Sequence, residues 1–309
     1  MTESPPVCDV AVLFLIFNRP EHTAASLARI RQARPPRLYI HCDGPRADRP
    51  GEAEAVMATR RVAEQTDWPC EVFTLYRAEN MGLRKGVKGA IDWFFQHEPY
   101  GIIIEDDCLP DASFFHFCSA LLRKYEHDSR IMHIGGSNLA QRHTSGLPSS
   151  YFFTRFSMVW GWASWRRAWQ HTDPDFKALD RFTSSGAIRG LVASLPAQAY
   201  MLDKFNTTRA GRNQSWAYSW FYSILQQGGL CLLPTVNLVQ NTGIGDTTAT
   251  HTTARDKKAE LEASSVTFPL SVPASDEPVP EIELQLFYHT QKRRWRLYLW
   301  YILHLIGLR

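Results

Sequence analysis

The first third of the chain alternates two hydrophobic periods with little ambiguity. Val10–Phe17 is an unbroken apolar run, the pattern of a strand buried on both faces. Glu21–Arg31 then sets Ala24, Leu27 and Ile30 on one helical face. Arg37–Cys42 predicts a second strand, stopped by the turn signal Asp43-Gly44-Pro45. A helix over Gly51–Gln65 and a third strand over Glu71–Tyr76 follow. After Asn80-Met81-Gly82, a helix carries Val87, Ala90, Ile91 and Phe94 on one stripe. Ile102–Glu105 reads as the fourth strand, and Phe114, Phe117, Leu121 and Tyr125 stripe the next helix. This order predicts an α/β fold, a mostly parallel sheet flanked by helices.

The second half is less regular. Tyr151–Arg155 reads as a strand, Trp160-Gly161-Trp162-Ala163-Ser164-Trp165 as a tight turn into a helix, Trp216–Gln227 as a helix and Cys231–Leu233 as a short strand. Asn241–Asp246 reads as a Gly-containing loop ending near His251. From about Phe268 the prolines at 269, 273, 278 and 280 predict an extended wrap. The tail from Lys292 sets basic residues ahead of Leu297-Tyr298-Leu299-Trp300-Tyr301-Ile302-Leu303. That segment is too short to cross a bilayer but suits an interfacial helix; a terminal helix docked on the domain is the other reading.

The strand Gly101-Ile102-Ile103-Ile104 runs directly into Glu105-Asp106-Asp107. Adjacent carboxylates at the end of a buried strand repel and lose hydration, so a positive partner is expected against them. A divalent cation carrying a phosphate ester fits, because Mg²⁺ and Mn²⁺ favour carboxylate oxygens. A solvated turn with Asp111 or Ser113 capping the next helix is the plainer alternative. In a parallel sheet, ligands bind beyond the carboxyl ends of the strands, where Asn18-Arg19, Asp43 and the acidic triplet all fall. Arg84, Lys85 and Lys88 at the start of the helix after Gly82 could attract phosphate, although such a run is usually a solvated face. No Gly-x-Ser-x-Gly elbow, phosphate-binding loop of the Walker type or Gly-x-Gly-x-x-Gly fingerprint is present.

Length and composition narrow the class. The 309 residues suffice for a large core, and 44% hydrophobic with 21% charged residues is ordinary for a globular enzyme. A formal charge of +3 gives no case for a nucleic-acid partner. Six cysteines without Cys-x-x-Cys spacing suggest neither zinc nor a disulfide framework, and a reducing cytoplasmic compartment fits.

Several segments, in order, carry a family resemblance: Phe17-Asn18-Arg19-Pro20, Asp43-Gly44-Pro45, Asn80-Met81-Gly82, Ile104-Glu105-Asp106-Asp107-Cys108-Leu109-Pro110, Trp160-Gly161-Trp162-Ala163-Ser164-Trp165-Arg166, Asn237-Leu238-Val239-Gln240-Asn241 and Thr250-His251-Thr252. From about Val10 to Thr252 the chain resembles bacterial nucleotide-diphospho-sugar transferases of the hemolytic-protein HlpA-like kind, with the GT-A glycosyltransferase fold, and more distantly eukaryotic N-acetylglucosaminyltransferase I. The resemblance implies a UDP-sugar donor and Mn²⁺ or Mg²⁺. Asp43 would meet the base, Asn18 and Arg19 would line the nucleotide pocket, and Glu105 and Asp106 would hold ribose and sugar hydroxyls. Asp107 and His251 would serve the metal, and Trp160, Gly161 and Trp162 would shape the sugar and acceptor pocket. Related sequences often carry Trp-Asp-Tyr where this chain has Trp216-Ala217-Tyr218. The general base an inverting transfer needs is therefore unassigned, with Asp246, Asp203 or Glu105 as candidates.

The expectation is a metal-dependent glycosyltransferase over residues 1–265, with a nucleotide-binding half at about 8–125 and an acceptor half at about 126–265. A Pro-rich segment over 266–290 and a basic-aromatic helix over 291–309 would follow. The acceptor would be a glycan or lipid-linked, with the tail touching the inner membrane face. A sugar nucleotidyltransferase and a non-catalytic nucleotide-sugar binding module are the alternatives.

Overall fold

The structure is a computed structural model that describes residues 8–243, 261–290 and, in the tail, 299, 302 and 303. Its first half matches the predicted alternation: β1 (Val12–Ile16), α1 (Pro20–Ala33), β2 (Arg37–Cys42), α2 (Glu52–Ala63), β3 (Glu71–Tyr76), α3 (Leu83–His97) and β4 (Tyr100–Glu105). Pro20 opens α1, where its missing N–H is no loss. After the short β5 (Cys108–Pro110), α4 (Ala112–Lys124) is capped by Asp111, whose side chain accepts from the Ser113 N–H at 2.9 Å. The chain continues through β6 (Ile131–Gly135), α5 (Gln141–Thr144), β7 (Tyr151–Thr154), β8 (Trp162–Trp165) and α6 (Arg166–Trp169). Then come α7 (Leu179–Ser184), α8 (Ala187–Leu191), α9 (Leu195–Arg209), α10 (Ala217–Gln226), β9 (Leu230–Pro234), β10 (Val239–Asn241) and α11 (Pro280–Thr290).

Eight strands form one sheet in the order β3-β2-β1-β4-β8-β6-β9-β7. All pairings are parallel except those of β8 with β4 and β6 and of β7 with β9. Helices cover both faces, which is why β1 is apolar throughout and β2 and β4, Arg37, His41 and Glu105 apart, are apolar rather than alternating. On one face Leu27 and Ile30 of α1, Val56 of α2 and Phe114 and Leu121 of α4 pack on Val12, Phe14, Ile40 and Ile104. On the other, Val87, Ile91 and Phe94 of α3 join Trp169, Trp216 and Trp220 over Leu13, Leu15 and Ile103. A further core holds the second-half helices, with Phe176, Phe205 and Tyr222 fully buried.

Two segments differ from expectation. Trp162-Ala163-Ser164-Trp165 is a strand, not a turn into a helix: β8 runs antiparallel between β4 and β6, pairing Ile103 with Trp162 and Ile134 with Ala163. The Pro-rich stretch ends in a helix, with Pro280 as the first residue of α11. Most of the predicted tail helix lies outside the described residues.

Topology places the site. The chain steps outward from β1 to β2 to β3, then returns to lay β4 on the other side of β1. Strand order therefore reverses between β1 and β4, and the crevice at their carboxyl ends is where such sheets take ligands.

Candidate active site

Arg19 at the end of β1 and the acids at the end of β4 meet in that crevice. A single nitrogen of Arg19, Nη2, donates to Asp106 Oδ1 and to Asp107 Oδ2, the latter at 3.2 Å. The positive partner that the sequence demanded is thus present within the protein. Asp106 is 3% exposed, and its second oxygen, Oδ2, is buried without a hydrogen-bond partner. Desolvation pushes the Asp106 carboxyl above its ordinary range, against the pull of Arg19. Glu105 is raised more strongly, by burial first and then by the charges of Asp107 and Asp106. Burial works to lower the Arg19 pKa, but the two aspartates overcome it and raise it.

The acidic turn is fixed from three sides. Ser26 on α1 donates to the backbone oxygens of Asp106 at 2.7 Å and Cys108 at 2.8 Å. β5 pairs antiparallel with β10, aligning Cys108 with Asn241. From there Asn241 Nδ2 reaches Asp107 Oδ1 at 3.3 Å, and the Thr242 N–H donates to the Asp107 carbonyl at 2.8 Å. Gly243 lies so close that a Cβ there would stand 2.4 Å from Asp107 Oδ2. Ser26 carried no signal beyond its position, whereas Asn241 belonged to a segment already singled out and Thr242 and Gly243 to the Gly-containing loop that follows it.

The other predicted residues divide. Asn18 donates to Glu52 Oε1 at 3.0 Å, and Glu52 is itself held by the Arg46 guanidinium and by the Arg46 N–H at 2.7 Å. This pair of an exposed arginine and a buried glutamate was not expected from sequence; Arg46 holds the Glu52 carboxyl below its usual range. Asp43 lies at the rim with its carboxylate occupied by backbone: it accepts from the N–H groups of Met81, Gly82 and Gly44 at 3.0 to 3.1 Å. It therefore clamps the loop that opens α3. Arg84 does not face the crevice as a free cation, since it donates to the carbonyls of Thr208, at 3.0 Å, and Pro174. Lys85 is exposed on the first turn of α3.

Gly161 and the half-buried Trp160 precede β8 at the same rim, and the Gly161 carbonyl accepts from the Gly136 N–H at 2.7 Å. Trp162 faces the core instead: it is 0% exposed and stacks on His133 at 5.2 Å and Trp216 at 5.7 Å. Asp203 is half-buried on α9, five residues before Thr208, and no described contact ties it to the acidic turn. Asp246 and His251 lie outside the described residues.

Among the described residues no three His, Cys, Asp or Glu side chains form a metal-ligand group. Two carboxylates joined through one cationic nitrogen, with a further buried oxygen unpartnered, are nevertheless a donor set that suits a hard divalent ion. Such ions need only one or two carboxylates when a substrate phosphate completes their shell.

No family model matches the chain, and no curated protein does. A solved structure of UDP-glucose pyrophosphorylase complexed with UDP-glucose is similar over 54% of this chain and 81% of its own, at 11% identity and a TM-score of 0.34.

Proposed function

We propose that the protein is a glycosyltransferase that binds a nucleoside diphosphate sugar, with UDP as the nucleotide, and moves the sugar to a glycan or lipid-linked acceptor. One observation carries this reading: Arg19 and the Asp106–Asp107 pair converge at the switch point of a doubly covered parallel sheet. A diphosphate needs cations, a divalent ion needs carboxylates, and both are seated in one crevice. Asp107, with Asp106, would hold Mn²⁺ or Mg²⁺, which would supply charge neutralisation for the departing diphosphate. Arg19 would add a second positive charge to that leaving group. Asn18 and the loop clamped by Asp43 would flank the nucleotide, and Glu105 would accept from a ribose or sugar hydroxyl.

The connection from β1 to α1 favours transfer over nucleotidyl chemistry. It is three residues long, Phe17-Asn18-Arg19, with no Gly-rich loop to wrap a triphosphate. Ala217 stands where related sequences often place a carboxylate, so within this reading the general base comes from another position. Acceptor delivery is assigned to the tail, whose basic start and aromatic body would lie on an anionic membrane face; sedimentation with and without anionic vesicles tests that contact.

Calorimetry with UDP, with and without Mn²⁺, tests the central reading. Wild type is expected to bind UDP at least tenfold more tightly with Mn²⁺, and Asp107→Asn to lose that gain. Equal UDP binding by both proteins under both conditions would overturn it. A donor panel assayed for transfer and slow hydrolysis then separates an enzyme from a binding module, which would bind without any turnover.

A further inference from the structure

Arg19 contacts two carboxylates through one nitrogen, and that geometry differs from an ordinary arginine clamp. A guanidinium normally meets a carboxylate fork to fork, with two nitrogens on two oxygens, as Arg37 does with Glu98 at 2.6 and 2.9 Å. Arg19 instead sets Nη2 between Asp106 and Asp107, and its Nε and Nη1 make no hydrogen bond among the described residues. A point charge bridging two carboxylate oxygens is the position of a metal ion, not the preferred position of a planar fork.

The charge count points the same way. Three adjacent acids face one guanidinium, so a single positive charge leaves the turn under-neutralised, and Asp106 Oδ2 is buried without a hydrogen-bond partner. Arg19 is also able to leave. It sits at the junction of β1 and α1, its side chain is 19% exposed, and it makes no side-chain cap to α1.

We propose that Arg19 is a built-in competitor for the divalent cation. In the ligand-free protein it holds the seat between Asp106 and Asp107, and it gives up that seat when a nucleoside diphosphate arrives, turning its guanidinium onto the diphosphate. Arg19 thereby penalises metal binding in the absence of donor and rewards it in its presence. The two states differ by one side chain and no backbone rearrangement, and the coupling must be reciprocal between metal and nucleotide. This inference rests on the metal-dependent reading of the same crevice, and it adds an order to binding that the reading does not contain.

The test is Mn²⁺ binding to the purified protein, read by the loss of the free-ion paramagnetic resonance signal, alone and with UDP. Arg19→Gln is expected to bind Mn²⁺ alone about tenfold more tightly than wild type, because the internal competitor is gone. The same variant is expected to bind UDP with Mn²⁺ about tenfold more weakly, because a diphosphate contact is gone. Opposite signs in one variant are the signature, and a purely structural ion pair would not produce them. Arg19→Lys is the second variant: its ammonium can keep the seat but is shorter and has no fork, so Mn²⁺ alone should bind as in wild type and UDP with Mn²⁺ more weakly. If Arg19→Gln binds Mn²⁺ alone no more tightly than wild type, or Arg19→Lys binds UDP with Mn²⁺ as well as wild type, the competitor role is overturned. In that case an Asp107-dependent gain of UDP binding with Mn²⁺ would leave the wider functional reading standing. No Mn²⁺ binding by any of the proteins, with or without UDP, would overturn both.

Discussion

At the scale of single residues, the acidic turn is a place where the fold accepts a cost. Glu105 and Asp106 are both raised, which means their ionised forms are less welcome in the folded protein than in the unfolded chain. At pH 8 the ionised turn therefore subtracts from stability. Glu105→Gln removes a charge while keeping shape, and is expected to stabilise the ligand-free protein at pH 8 by on the order of 1–2 kcal/mol. Urea denaturation of the two proteins at pH 8 checks this, and a destabilised variant would show that Glu105 is a structural anchor rather than a strained one. The triplet was legible as a candidate for a positive partner, because carboxylates after three isoleucines either find one or turn out into solvent. Its answer was only partly legible. That Arg19 would reach Asp106 depends on β4 lying beside β1, a pairing between positions some ninety residues apart that no local pattern encodes. Trp162 shows the opposite limit: as a residue it suits sugar stacking, but the strand it belongs to turns it into the core against His133.

At the scale of elements, the rim is assembled from loops locked by backbone contact rather than by side-chain bulk. The turn after β2 is one of these. A Cβ on Gly44 would stand 2.4 Å from the Glu79 carbonyl carbon, and Asn80 Nδ2 donates to the Gly44 carbonyl at 2.7 Å. Gly44→Ala must push two backbone segments apart, which would also loosen the Asp43 clamp on Met81 and Gly82. A loss of about 3 kcal/mol is expected in urea unfolding, with weaker UDP binding in what remains folded. A variant as stable as wild type would mean the loop over Glu79 yields freely. Which elements could be read from sequence follows from the same physics. β1, β2 and β4 are mostly apolar runs of five or six residues between periodic helices, so their pattern is clear. β8 is four residues, Trp-Ala-Ser-Trp, buried on both faces, and its small Ala-Ser centre imitates a turn. β5 and β10 are three residues each and exist only because they pair with each other across the chain. α11 hid behind its prolines, although Pro280 at a first helical position is itself a start signal.

At the scale of the whole molecule, two buried imidazoles set how the protein responds to acid. His133 is fully buried, placing Nε2 3.0 Å from the Met158 carbonyl and Nδ1 3.2 Å from the Trp220 indole nitrogen. The indole N–H can only donate, so Nδ1 is the acceptor and Nε2 carries the proton. A second proton on Nδ1 would set N–H against N–H. Burial lowers the His133 pKa to about 4, with the Met158 carbonyl opposing weakly. His41 is also lowered to about 4, by burial first and then by Arg77 and Arg60, and its Nε2 has no hydrogen-bond partner. Both stay neutral in the fold while the unfolded chain takes up protons near pH 6.5, so stability is retained above that pH and falls as pH drops from 6.5 toward 4. The full shift corresponds to roughly 3 kcal/mol for each histidine. Glu105 and Asp106 oppose this: raised in the fold, they bind protons there first and add stability as pH falls through their range. Urea unfolding at steps between pH 7 and 4.5 is thus expected to show a decline shallower than two histidines alone would give. His41→Leu, which replaces a neutral ring lying between Leu15 and Leu75 in the sheet register, should flatten the decline. Glu105→Gln should steepen it by removing part of the opposing gain. Parallel curves for all three proteins would mean that neither group governs acid stability, whereas flattening in one variant and steepening in the other would assign the slope to a contest between buried imidazoles and the acidic turn.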